Sequence, residues 1–489
     1  MAELKGRMSR ADNLARLAGQ QWDVLIVGGG ISGAGVLREA TRRGWRAALI
    51  EQRDFAWGTS SRSSKLVHGG LRYLKEGQFG LTLHSVRERD RLMREAPELI
   101  EPQSFLFANC TGRKPGRHLF MLGLAIYDRM AKGQRRSSYH DANTTRMLAP
   151  GIGPANMVGG VTYIDAKTDD ARLVWRVLAE AINEDGLALN YVAAQSPVFS
   201  DASNRKVIGL NLEDVETGAC FAVKAGAVIN ATGAWADGLR GAVSGKPMLR
   251  PLRGSHLVIP FWRLPVAQAI SLIHPADGRP VFFYPWEGIT LAGTTDLAHT
   301  GNLQTEAGIT TAEVNYLLQA VNDQFPDIEI STGDISATFA GVRPVIDDGS
   351  GDPSSAGRDH VVLDEAGMIT LTGGKLTTFR LMAEDALALA APHLGKAFAR
   401  IDAPVFRPAS AMNPRGNPVA RFRLSSRYGA DAATLAEGAA NADFDTIPGT
   451  TIMWLELAVA ARDEVIVHLD DLLLRRTRLG ILMPRGGLD

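Results

Sequence analysis

The chain has 489 residues, 45% of them hydrophobic, so it can bury more than one core and is expected to form two or three packed units. Its 53 Lys and Arg balance 53 Asp and Glu, which leaves no global charge to draw a nucleic-acid partner. Cys110 and Cys220 are too few and too far apart for a disulfide framework or a zinc site and fit a reducing cytosolic setting, and no apolar run reaches the roughly 18 residues of a spanning helix, so neither membrane crossing nor export is expected.

Residues 1–20, with Leu4, Met8, Leu14 and Leu17 among polar neighbours, suit a short amphipathic helix on the first domain. The stretch from Asp23 to Glu51 reads as one dinucleotide-binding βαβ unit. Val24–Val27 form a buried parallel strand. Gly28 permits the tight turn, Gly30 lets the backbone approach a pyrophosphate, and Gly33 lets the next helix lie against the strand. Unpaired N–H groups and the positive dipole end of that helix suit the anion. Glu51 ends the second strand 23 residues after Gly28, where a carboxylate meets a ribose hydroxyl.

The loop Thr59–Lys65 is rich in hydroxyls, and its place after the second strand sets Thr59, Ser60, Ser64 and Lys65 beside whatever fills the crevice. Residues 80–96 predict an exposed helix. Between Arg113 and Arg136, seven Lys and Arg and one acid, Asp128, flank the apolar segment His118–Tyr127. Its spacing favours a buried core helix with solvated ends over a segment lying in an anionic membrane interface. A helix is predicted over Asp169–Asn183, then strands over Leu187–Val192, Val207–Leu212 and Phe221–Asn230, the last entering the turn Ala231-Thr-Gly-Ala-Trp235.

Residues 250–300 read as sheet, followed by a helix over Thr311–Phe325. Asp296 and His256 read as structural groups in strands. Residues 405–450 resemble a loosely packed connection, and a final helix is expected around Leu455–Leu479. Over Met368–Arg380 an apolar strand meets Gly373-Gly374 and then a helix opening with Lys375, Thr377 and Thr378. Nicotinamide enzymes usually place a substrate domain after the nucleotide unit without returning to it. A second strand, glycine turn and helix this far along implies two parts of the chain meeting at one long cofactor, which favours FAD over NAD.

The segments Ser63–Tyr73, Asp169–Val174, Asn230–Trp235, Gly254–His256, Gly293–Asp296, Gly341–Pro344 and Gly373–Thr378 occur in the order found in the FAD-dependent glycerol-3-phosphate dehydrogenases, which this chain resembles from about residue 12 to 385. Arg475–Gly480 is similar to that family's C-terminal helical region. The resemblance implies an α/β fold: an FAD-binding Rossmann-like domain, a mixed-sheet substrate domain and a small C-terminal helical domain. In this division 1–95, 151–245 and 341–400 form the FAD-binding domain, 96–150 a cap, 246–340 the substrate sheet and 401–489 the helical domain.

It further implies oxidation of the C2 hydroxyl of sn-glycerol 3-phosphate to dihydroxyacetone phosphate, with hydride passing to the flavin and electrons to a quinone. By the same resemblance, Arg72 and Arg358 clamp the phosphate, Arg343 and Lys375 face the C2 oxygen, and His68 shuttles the proton. The cofactor contacts are Gly28, Gly30, Gly33, Glu51, Thr59, Ser60, Ser64, Lys65, His68, Gly69, Gly70, Ala231, Thr232, Gly233, Gly374, Lys375, Leu376 and Thr377. No metal is called for, and a homodimer is allowed. A quinone acceptor implies peripheral attachment to the inner face of the cell membrane, with the 113–136 segment as anchor. The family's oxygen-using oxidases share most of these motifs but carry a large insertion absent here. A flavin amine or amino-acid oxidase of the same fold, and a flavin-binding scaffold without redox activity, are the other readings. Residues 402–450 match the family poorly, and the chain ends soon after Gly480, where many relatives carry another helix.

Overall fold

The computed structural model describes residues 8–75, 77–112, 116–131, 137–153, 156–200, 205–243, 246–347, 360–410 and 418–487, without the side chains of Arg72 and Lys75. Two sheets organise it. In the first, the strands Met368–Gly373, Cys220–Asn230, Trp22–Val27, Ala47–Glu51 and Leu187–Asn190 run parallel in that spatial order. His360–Glu365 closes one edge antiparallel, and the pair Val192–Phe199 and Val207–Asp214 extends from Cys220–Asn230. Val24 sits level with Ala227 on one neighbour and Ala47 on the other. Side chains along this central strand are buried on both faces, which is why it reads as a continuous Val-Leu-Ile-Val run rather than an alternation.

Three helices, Ile31–Thr41, Asp170–Asn183 and Phe379–Ala390, cover one face, their Leu37, Val174, Val177 and Met382 sharing a core with Val24 and Ile26. The central strand lies between one neighbour reached through the first helix and another supplied from far along the chain. This reversal of strand order opens a crevice at the strands' C-terminal ends.

Among the described residues the second sheet has ten strands. Its order runs Leu297–Ala298, Leu249–Pro260, Ile289–Gly293, Pro280–Trp286, Ala269–Ile273, Glu101–Cys110, Met157–Lys167 and Leu66–Val67, with Ala337–Ile346 added to Leu249–Pro260 and Ser138–Asp141 to Met157–Lys167. Only Ala269–Ile273 with Glu101–Cys110 is parallel; the other pairings are antiparallel. The helix Thr311–Gln324 packs Leu317 and Val321 on Leu257 and Phe283.

Several elements depart from the sequence reading. Leu187–Val192 is two strands, because Tyr191 turns the backbone at φ +54° and sends its hydroxyl to Asp471 at 2.6 Å. Helix Phe79–Glu95 is not simply exposed: Glu88 is buried against Arg380, and Arg89 against Asp165 and the Tyr127 hydroxyl. Helix Arg117–Met130 is not a core helix, since Leu119 and Leu122 are 65% and 59% exposed while Leu124 and Tyr127 face inward. Its basic flanks Arg113, Lys114, Lys132, Arg135 and Arg136 lie outside the described residues.

The described part of residues 405–450 is not a loose connection. Helices Pro418–Tyr428 and Ala432–Glu437 share a core of Leu424, Tyr428 and Leu435 with Leu455 and Val459 of Trp454–Asp463. The expected helix over 455–479 breaks at the β-branched run Val465-Ile-Val467, a poor helix sequence. Val465 takes φ +55°, and the Asp471 carboxylate accepts the Val467 and His468 N–H groups before a π-helical turn over Asp471–Arg476. Among the described residues no helix is long and apolar enough to cross a membrane.

Candidate active site

A cavity of about 530 Å³ opens at the C-terminal ends of the parallel strands. One wall is the glycine turn after Trp22–Val27, where Gly28 sits at φ +111° and a β-carbon would come 2.6 Å from the Ala231 carbonyl oxygen. Only glycine fits both constraints. Gly30 stands at the N-cap of Ile31–Thr41 and has no side chain of its own to cap it; Ser60 Oγ takes the Ile31 N–H, and the positive dipole end of the helix faces the cavity. Gly33 lies outside the cavity: a β-carbon there would overlap the Gly28 carbonyl oxygen, so its absence seats the helix against the turn.

Glu51 lines the same cavity, its carboxylate accepting the Gly29 N–H at 2.7 Å and the Arg53 N–H at 2.9 Å. Burial raises its pKa against those two donors. Ala231, Thr232 and Gly233 supply a further wall, and Trp57 and Trp235, ring centres 5.8 Å apart, another. The turn at Gly373 and Gly374, with φ +75° and +70°, closes the cavity from the far end of the chain. Sequence-remote glycine turns thus face one space.

A second cavity of about 310 Å³ adjoins the first, sharing Thr59, Ser63, Pro344, Gly374, Lys375 and Leu376 with it. His68, Gly70, Thr377, His256, Arg343 and Asp296 line it. Arg343 projects from Ala337–Ile346 and donates to Asp296 Oδ1 at 2.8 Å and Thr294 Oγ1 at 3.0 Å. Gly254, on the paired strand, makes room for it, since a β-carbon would collide with the guanidinium. Lys375 Nζ donates to Ser85 Oγ at 3.2 Å and sits 3.6 Å from the Tyr73 ring centre. The His68 carbonyl accepts the Thr377 hydroxyl at 3.2 Å.

His256 Nε2 is 2.9 Å from Ser64 Oγ, and the ring stacks on Phe339. Burial first, then the charges of Arg343 and Lys65, holds its pKa well below the usual value, so the ring is neutral.

The loop after the second strand divides its labour. Thr59 Oγ1 donates to the Val342 carbonyl at 2.5 Å, and Ser60 Oγ accepts the Ile31 N–H at 3.0 Å. Lys65 does not reach either cavity, contrary to the sequence expectation. It is fully buried, its ammonium 2.9 Å from both Asp170 Oδ1 and the Ser61 carbonyl, and burial, with Arg478 second, pushes its pKa down to about 8. A buried ammonium needs such a partner, and the loop-to-helix tie is what satisfies it. Gly69 is likewise behind the wall, donating its N–H to Asp165 at 3.0 Å with no room for a side chain beside Tyr127. Arg72 falls in the short helix Leu71–Lys75, its side chain outside the description, and Arg358 lies outside the described residues.

Sequence reasoning passed over Arg279, Asp165, Trp57 and Trp235, all cavity-lining. None stands in a glycine motif. Trp235, at the end of a motif already noted, carried the one usable signal.

A helix N-terminus turned to the cavity, a side-chain-free cradle at Gly28 and a carboxylate at the end of the second strand fit an adenine dinucleotide, and the second glycine turn fits the ring-bearing half of FAD. Fold and site define the class. Residues 23–380 match the family described as FAD dependent oxidoreductase. An aerobic glycerol-3-phosphate dehydrogenase of Staphylococcus saprophyticus is 34% identical over 94% of this chain and 87% of its own length, and one of Staphylococcus epidermidis is 35% identical over 94% and 86%. A glycerol-3-phosphate dehydrogenase of Bacillus halodurans, solved with FAD, superposes with a TM-score of 0.78 at 27% identity over 97% of this chain and 89% of that one. Glycine oxidase of Geobacillus kaustophilus, TM-score 0.56 at 21% identity, shares the fold alone. The chain belongs to the FAD-dependent oxidoreductases and, among them, to the aerobic glycerol-3-phosphate dehydrogenase family, and its cofactor is FAD.

Proposed function

We propose that this enzyme oxidises sn-glycerol 3-phosphate at C2 to dihydroxyacetone phosphate, the hydride passing to the flavin and the electrons onward to a quinone. The observation that carries the reading is the junction of the two cavities at Gly374–Leu376, with Arg343 on the wall of the smaller one. FAD, when bound, supplies the two-electron acceptor. Gly28, Gly30, Glu51, Thr59, Ser60 and Ala231–Gly233 would hold its nucleotide half, and Gly374–Thr377 with Gly70 its other half.

The chain's own side chains do the rest. Arg343 and Lys375 present cations to the C2 oxygen as it loses its hydrogen, which stabilises the developing negative charge. His68 takes the hydroxyl proton. Arg72 and Arg358 hold the phosphate in the carry-over from the family. Ser64 fixes neutral His256, leaving that ring's faces to pack the wall.

Peripheral attachment to an anionic membrane is the companion proposal, supported by the outward Leu119, Leu122 and Ile126 of the helix Arg117–Met130.

The test is anaerobic mixing with sn-glycerol 3-phosphate, glycerol and D-amino acids. Bleaching of the flavin band by the phosphate ester alone supports the reading. Bleaching by an amino acid, or by no donor, overturns it.

A further inference from the structure

Arg279 opens the strand Pro280–Trp286 and lines the smaller cavity. Its backbone is fixed by the preceding turn, where Asp277 Oδ1 accepts the Arg279 N–H at 3.0 Å. Its guanidinium donates to the Asp296 carbonyl at 2.5 Å, and the Asp296 carboxylate is the group that holds Arg343 at 2.8 Å. Two guanidinium groups are thus fastened to one residue of the cavity wall.

The only carboxylate paired with Arg279 among the described residues is Asp277, at 3.7 Å from Nε, and both of its oxygens also accept the Tyr316 hydroxyl at 3.0 Å. Tyr316 is itself held in place by stacking on His274, ring centres 3.6 Å apart. The Arg279 side chain is 27% exposed, so its ion pair is long, partly hydrated and cheap to exchange. Among the described residues, the cavity lining sets Arg62, Arg279, Arg343 and Lys375 against Asp165 and Asp296; Arg62 is committed to Glu306 at 2.9 Å and Asp165 to Arg89 at 2.7 Å, which leaves Arg279, Arg343 and Lys375 facing Asp296.

We propose that Arg279 is a further ligand of the phosphate of the phosphorylated alcohol, added to the arginines already assigned to that group, leaving Arg343 to the oxygen at C2; this rests on the substrate reading above. The chemistry is that of a planar fork of donors meeting a dianion, which outbids a long, partly exposed carboxylate contact. No bond is made or broken at Arg279. It selects phosphorylated over neutral alcohols.

The experiment uses FAD-loaded enzyme with Arg279→Gln and Arg279→Lys. Calorimetry with inorganic phosphate reads binding without turnover. Wild type is expected to bind phosphate, Arg279→Gln about 10- to 100-fold more weakly, as loss of a charge-assisted contact implies, and Arg279→Lys in between. In anaerobic flavin reduction by sn-glycerol 3-phosphate, half-saturation should rise by the same factor in Arg279→Gln with the limiting rate little changed. Equal phosphate binding by wild type and Arg279→Gln, or a fall in limiting rate at unchanged half-saturation, overturns the assignment. Failure of wild type to be reduced by the ester would instead strike the substrate reading, and the phosphate titration would still decide Arg279.

Discussion

Asp54 follows the second strand of the dinucleotide unit and is completely buried, its carboxylate 2.5 Å from Arg475 Nε and 2.8 Å from both Nη atoms of Arg476. These bonds fasten the C-terminal π-helical turn to the FAD-binding sheet. Asp54→Ala leaves Arg475 with Asp471 at 2.6 Å and Asp470 at 2.8 Å, but the nearest other carboxylate to Arg476 is Glu464 at 3.9 Å, already held by Arg172 at 2.5 Å. Arg476 therefore becomes a buried charge without adequate compensation, at a cost of about 3–5 kcal/mol. Urea unfolding followed by circular dichroism should show that loss, and the double variant Asp54→Ala/Arg476→Leu should recover more than about 1 kcal/mol of it, because removing both charges removes the unpaired one.

The pH dependence has a fixed sign. Burial would raise the Asp54 pKa, but Arg476 and Arg475 more than offset this and hold it below the ordinary carboxylate value. Its stabilisation is complete above an unfolded pKa of about 3.9 and is lost as pH falls through the lower folded value. Asp54→Asn should flatten that acid limb. A single variant within about 1 kcal/mol of wild type, or a double variant as unstable as the single, would refute the reasoning.

Other outcomes follow from the site. Gly30→Val points a side chain into the larger cavity, its β-carbon meeting only Ser60 Oγ at 3.1 Å, so the apoprotein should fold and elute colourless; a fully yellow protein contradicts the cradle. Arg343→Ala should retain FAD while kcat/KM for the ester falls by about 2–5 kcal/mol of transition-state stabilisation, read by steady-state kinetics; near-normal turnover removes Arg343 from the site. Neutral, buried His256 binds no proton where the unfolded chain does, so stability should fall as pH drops below about 6.5, by at most about 1.4 kcal/mol per pH unit, and His256→Asn should lessen that slope in denaturant titrations. Leu119→Asp/Leu122→Asp should abolish sedimentation with anionic liposomes at low salt without changing flavin reduction; undiminished sedimentation excludes this helix as the anchor.

The dinucleotide turn was legible because its demands are local: Gly28 needs positive φ and Gly33 needs a missing β-carbon within one βαβ unit. The turn at Gly373-Gly374 was legible for the same reason, and its meeting with the first followed from the length of the cofactor. Lys65 shows where such reading stops. Its place in a hydroxyl-rich loop suggested a cofactor contact, whereas Asp170, supplied by the helix Asp170–Asn183, takes its charge. The helical C-terminal domain was expected, but its fastening to the FAD-binding sheet was hidden for a related reason. Arg475, Arg476 and Arg478 are all buried, and Asp54, Asp169 and Asp170 from distant elements compensate them. Charge pairing across hundreds of residues leaves no periodicity to read.

Flavin reduction by sn-glycerol 3-phosphate carrying deuterium at C2 tests the central claim most directly, since the joined cavities are proposed to bring that carbon against the cofactor. The account predicts anaerobic reduction several-fold slower than with the unlabelled ester and unchanged by deuterium at C1. Equal rates with C2-labelled and unlabelled ester, or slowing by the C1 label instead, would contradict it.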